Sequence, residues 1–97
     1  MASSPADTVF IINGDEMHPH SIPEDLLHTE RNTLYLFGEM KNSERSIINL
    51  IREEIFGLKD YVFVVNGVSY PINGSAYKVF NDGEKIYEML TFFIKEG

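Results

Sequence analysis

Tyr61-Val62-Phe63-Val64-Val65-Asn66-Gly67-Val68-Ser69-Tyr70-Pro71-Ile72 reads as a β-hairpin. β-Branched and aromatic residues flank Asn66-Gly67, and such residues suit a pleated surface. Asn-Gly favours a tight type I′ turn, because both residues accept a positive φ. A similar run opens the chain. Val9-Phe10-Ile11-Ile12-Asn13-Gly14 has the same Val-Phe-aliphatic-aliphatic-Asn-Gly order, with Asp15 to His18 as its return strand. So short a likeness is better explained by a recurring hairpin pattern than by duplication.

Working outward, Thr33 to Met40 (TLYLFGEM) reads as a strand. A helix over about 43–56 follows, capped by Asn42 or Ser43 and closed by Gly57 as the C′ residue. Ile47, Leu50, Ile51 and Ile55 form its apolar stripe, widened by Ile48. Arg45, Asn49, Arg52 and Glu53 lie off the stripe and should face water. Ser21 to His28 carries the spacing of a capping box and predicts one or two helical turns. Asn81-Asp82-Gly83 is a turn, and Ile86 to Ile94 is compatible with a buried strand or a short helix. One amphipathic helix needs one apolar surface to cover. The expected fold is α+β: a mixed or antiparallel sheet with one main helix.

At 97 residues the chain has the length of a single domain, expected over residues 8–97 with residues 1–7 as a flexible tail. There is no cysteine, hence no disulfide, thiolate nucleophile or cysteine zinc site. Fifteen acidic residues against 8 basic ones give a net charge of -7. That balance disfavours nucleic acid as a partner, since phosphate neutralisation needs clustered Lys and Arg. No apolar run approaches membrane-spanning length and no signal-peptide pattern opens the chain, so cytoplasm or nucleus is the expectation. The charge is uneven. Asp7, Asp15, Glu16, Glu24, Asp25 and Glu30 precede the first basic residue, Arg31, and His18, His20 and His28 share that segment.

From Thr8 on, this order of elements resembles the β-grasp, or ubiquitin-like, fold, nearest to the small sulfur carriers and ubiquitin-related modifiers. The residues that carry the resemblance are the helix Ile47 to Ile55, the strand and turn Val62 to Gly67, the turn Asp82-Gly83-Glu84 and the tail Phe92 to Gly97. In that family the chemistry sits on a terminal Gly-Gly, loaded by an activating enzyme. Here the chain ends Lys95-Glu96-Gly97. The resemblance therefore implies an adaptor or accessory subunit docking by a sheet face or edge, ahead of a covalent modifier or sulfur carrier acting through Glu96-Gly97.

Two further groups stand out. Asp15, Glu16, His18 and His20 are possible metal ligands. On an extended strand His18 and His20 project from one face, and with a carboxylate they would suit zinc or a pH-responsive surface. The plainer reading is a solvated polar strand, and no cofactor is expected. Phe10, Tyr35, Phe37, Phe63, Phe92 and Phe93 are assigned to the core. Tyr61, Tyr70, Tyr77 and Tyr87 are the candidates for a partly exposed interaction face, with an aromatic lip around Asn73-Gly74; ordinary strand tyrosines with one wet edge are the plainer reading. No nucleophile elbow or phosphate loop appears, so a binding module is expected rather than an enzyme. The expected partner is a protein, with a basic surface or an activating enzyme as the candidate types.

Overall fold

The computed structural model describes residues 6–40 and 46–96. In chain order these residues form β1 (Ala6–Asn13), β2 (Glu16–Pro23), a 3-10 turn (Glu24–Leu26), β3 (Leu27–Thr29), β4 (Thr33–Glu39), α1 (Ile47–Ile55), β5 (Tyr61–Val65), β6 (Val68–Asn81) and β7 (Ile86–Ile94). The strands make one 7-stranded sheet in the order β2-β1-β5-β6-β7-β4-β3. Every pairing is antiparallel. The fold is α+β, with one helix among the described residues.

The Asn66-Gly67 hairpin forms as read. Val65 pairs with Val68, and the turn holds Asn66 at φ 51° and Gly67 at φ 79°. The N-terminal run makes a hairpin too, but with a different turn and the opposite facing. Its turn is Gly14-Asp15, closed by Asn13 opposite Glu16. Val9 and Ile11 are buried, whereas in the later run Phe63 and Val65 are buried and Val62 and Val64 are half-exposed. Side chains alternate across a strand, so the two matching runs present opposite sets to the core. β1 and β5 pair directly, with Val9 opposite Val65 and Ile11 opposite Phe63.

The return strand is stronger than its composition suggests. β2 continues to Pro23, and the helical turns expected over Ser21 to His28 shrink to a single 3-10 turn before β3. The pairing of Ile22 with Asp7 carries Ile22 into the core, and that burial outweighs local capping propensity. Ile86 to Ile94 is a strand, with Glu88, Leu90 and Phe92 buried at period two. The late turn holds as read: Asn81 Oδ1 accepts from the Gly83 N–H at 2.8 Å, and Asp82 Oδ1 from the N–H groups of Glu84 and Lys85. These bonds hold the Asp82 carboxyl below its ordinary value.

The helix is shorter than expected. Ser46 is its N-cap, accepting the Asn49 N–H on Oγ at 3.1 Å. Asn42 and Ser43 lie outside the described residues. Phe56 is already extended and caps the far end, and Gly57 follows at φ 89° as the C′ residue. Ile48, Ile51 and Ile55 make the buried stripe, while Leu50 turns outward. Burying each isoleucine contributes about 1.5–3 kcal/mol, which fixes the roll of the helix. α1 carries the chain from β4 back over one face of the sheet to β5. The core lies between them, centred on Phe63 and Phe92, whose ring centroids are 4.8 Å apart.

The aromatic assignments divide. Phe63 and Phe92 are core, but Phe10, Tyr35 and Phe37 are half-exposed and Phe93 is 44% exposed on the sheet face that the helix does not cover. Conversely Tyr61, expected at an interaction face, is 5% exposed and part of the core. Facing parity decides each case: Tyr61, Phe63 and Val65 alternate inward on β5, and Phe93 is one step off Phe92.

Candidate functional site

β6 runs for 14 residues, while β5 has only 5. The β5 ladder therefore ends where Tyr61 meets Ile72. β7 pairs with β6 from Ile72 to Asn81, with an irregularity between Ile72 and Gly74. Asn73-Gly74 is thus a bulge within a strand. A bulge leaves one residue unpaired and bends its strand. Beyond it, Ser75–Asn81 has β7 on one side and no strand on the other among the described residues.

The ladder identifies which backbone groups are open. The Asp82 N–H donates to the Lys85 carbonyl at 3.1 Å, marking that pair as hydrogen-bonded. Bonded and non-bonded pairs alternate in an antiparallel ladder. Phe80, Lys78 and Ala76 then bond to Tyr87, Met89 and Thr91. Ser75, Tyr77, Val79 and Asn81 point their N–H and C=O groups away from β7. On the other face of β7 the Met40 N–H reaches the Ile86 carbonyl at 2.7 Å, as this parity requires.

The two outer edges of the sheet are blunted, and this one is not. The same alternation places Pro19 and Pro23 of β2 at positions whose N–H would face outward, so that edge lacks two donors. At the opposite end β3 is 3 residues long. Ser75–Asn81 has no proline and carries one charge, on Lys78.

Beside the open edge lies a cleft of about 260 Å³. Its far wall is the end of α1, with Arg52, Ile55, Phe56 and Leu58; its near wall is Ser75, Ala76 and Tyr77. Phe56 is 88% exposed. Arg52 does not simply face water: its guanidinium carbon sits 4.1 Å from the centroid of the Tyr77 ring. Its Nη1 donates to Asn49 Oδ1 at 3.1 Å. The Tyr77 hydroxyl donates to Oε1 of Glu88 at 2.9 Å, and Glu88 is 1% exposed. Burial first, then the bond to Glu88 and its charge, raise the Tyr77 hydroxyl above its ordinary value, with Arg52 opposing. Burial likewise pushes Tyr61 up to about 12, against a smaller pull from the Ser75 hydroxyl.

Of the tyrosines proposed for one interaction face, only Tyr77 lines the cleft. Tyr70 packs against the core from the helix side, opposite Phe63. Tyr87 is on the other face, stacked on Phe37 with centroids 5.5 Å apart.

His18 and His20 do share a face, as expected, and it is the helix side. Both meet a residue that local spacing could not supply: Glu54 of α1. Its Oε1 lies 2.6 Å from His20 Nε2, and its Oε2 3.3 Å from His18 Nδ1. Glu16 Oε1 is 3.2 Å from His18 Nε2. Asp15 is exposed in the turn. Among the described residues no group of three or more His, Asp or Glu side chains is arranged to hold a metal ion. At the C-terminus, the Lys95 N–H donates to the Pro71 carbonyl at 2.8 Å; Glu96 is exposed and Gly97 lies outside the described residues. No described helix is long and apolar enough to cross a membrane. Comparison with family models, curated proteins and solved structures found no match to this chain.

Proposed function

We propose that this protein is a small interaction module of β-grasp-like shape that receives an extended segment of a partner protein as an added strand on β6. The observation that carries this reading is the open edge Ser75–Asn81, left unblunted between two blunted outer edges. In strand addition, main-chain bonds supply affinity and an adjoining pocket supplies selectivity. The outward groups of Tyr77 and Val79 offer the bonds, and the cleft beside Arg52 and Tyr77 takes one side chain of the segment. The helix-before-hairpin order supports the β-grasp-like description. No catalytic role is assigned.

The test is Val79→Pro, which removes an outward N–H and leaves the bonds to β7 in place. A tagged wild-type chain should retain its partner, and Val79→Pro should lose it while keeping a native circular dichroism spectrum. Equal retention by both chains would overturn edge docking.

A second reading rests on the contact of His18 and His20 with Glu54, which ties the β1–β2 hairpin to α1. In this reading the hairpin is a regulatory element released when that contact breaks. Exchange of hairpin amides that is the same in wild type and Glu54→Ala would remove it.

A further inference from the structure

The sheet has two faces, and the helix covers one. On the other, the alternation that buries Val9, Phe63 and Leu90 brings out Phe10, Val62, Val64, Tyr35, Met89 and Phe93. These residues come from β1, β5, β7 and β4; β6, which runs between β5 and β7, adds Pro71, Ala76 and Phe80 at positions paired with the same face, so the apolar positions run across five neighbouring strands. Contiguous apolar area of this kind marks an interaction surface.

We infer that this uncovered face packs against the same face of a second copy of the chain. Two arguments select that occupant. The first is size. The strands range from 3 residues in β3 to 14 in β6; at about 3.3 Å per residue and about 4.8 Å spacing the whole face spans roughly 850 Å² in projection. A stable two-protein interface needs about 800 Å² from each partner, so the face matches what a face-to-face sandwich requires. The second is charge. Among the described strand positions on this face, only Lys78 and Glu39 are charged, and they have opposite signs. Residues 1–30 carry a net -6 and residues 31–97 a net -1, so two copies repel where their N-terminal thirds approach. This face is where they meet without that penalty, and a two-fold axis makes one patch complementary to itself. The face lies apart from the outward groups of β6, so the pair leaves the docking edge free.

Sedimentation equilibrium tests this with the full chain. Wild type should have twice the 11.1 kDa mass of the chain. The double variant Val64→Lys/Phe93→Lys should raise the dissociation constant at least about tenfold. Thr91→Arg adds a charge at the centre of the face without removing a core side chain, and should act in the same direction if the double variant fails to fold. Val79→Pro should leave the dimer intact. A wild-type mass of 11.1 kDa at every concentration reached would overturn the inference. So would a dimer that survives Thr91→Arg, or one that Val79→Pro dissociates.

Discussion

Replacing Val79 with proline removes an N–H that points away from β7, whereas replacing its neighbour Lys78 removes one that bonds to Met89. The two substitutions are one residue apart in the same strand, and their costs should differ several-fold. Val79 is 52% exposed, and proline keeps an apolar side chain there. On an edge position with a solvent-facing N–H, the cost should be about 1 kcal/mol or less. Lys78→Pro leaves the Met89 carbonyl without its donor, about 1–3 kcal/mol, and drives the proline ring into the ladder. About 3 kcal/mol in total is expected. For a domain of this size 1 kcal/mol moves Tm by about 4–8 °C. Thermal unfolding followed by circular dichroism should therefore lower Tm by about 5 °C for Val79→Pro and by 15 °C or more for Lys78→Pro. Equal losses would mean that the Val79 N–H is used within the fold, and the open edge would not exist.

Three other outcomes follow from the same geometry. Glu54→Ala should cost about 1 kcal/mol in urea unfolding. A double-mutant cycle should couple it more strongly to His20, at 2.6 Å and 15% side-chain exposure, than to His18, at 3.3 Å and 45%. Tyr61→Phe should be neutral or stabilising by up to about 1 kcal/mol, since its buried hydroxyl lacks a well-formed hydrogen bond. Burial raises the same hydroxyl from 10.0 to about 12, so the fold keeps its full stability below pH 10 and loses stability as pH rises from 10 through 12. Ultraviolet titration should show a late-ionising tyrosine that disappears in Tyr61→Phe. Gly38→Ala should change stability by less than about 1 kcal/mol, because its new Cβ would stand 2.9 Å from Leu26 Cδ2, the end of a half-buried side chain that can shift, and thermal unfolding reads it directly.

Much of the fold was legible where short-range chemistry decides structure. Asn66-Gly67 could form one tight turn, and the apolar stripe through Ile51 and Ile55 could bury only one helix face, although Leu50, read into that stripe, turns outward. The misread elements are those settled by distant partners. Asn73-Gly74 looks like Asn66-Gly67 in sequence, but β7 pairs straight past it and makes it a bulge. Pattern alone could not distinguish Tyr61 from an exposed tyrosine, because facing depends on which side of β5 meets α1. The matching Val-Phe runs illustrate the same point, since an identical start served opposite faces. In the candidate site, the shared face of His18 and His20 was readable from their spacing, but Glu54, 34 residues beyond His20, was not. The open edge left one sequence signal, a long strand-forming run after a short one. Nothing in the order of residues says where a neighbour strand stops.

Residue-resolved amide exchange, in the free protein and in the complex captured with its partner, tests strand addition most directly. The account predicts fast exchange at Tyr77, Val79 and Asn81 in the free protein and slow exchange at Lys78 and Phe80. In the complex Tyr77 and Val79 should become slow, with Lys78 and Phe80 unchanged. Protection of Tyr77 and Val79 already present in the free chain, or unaltered exchange there when the partner is bound, would contradict it.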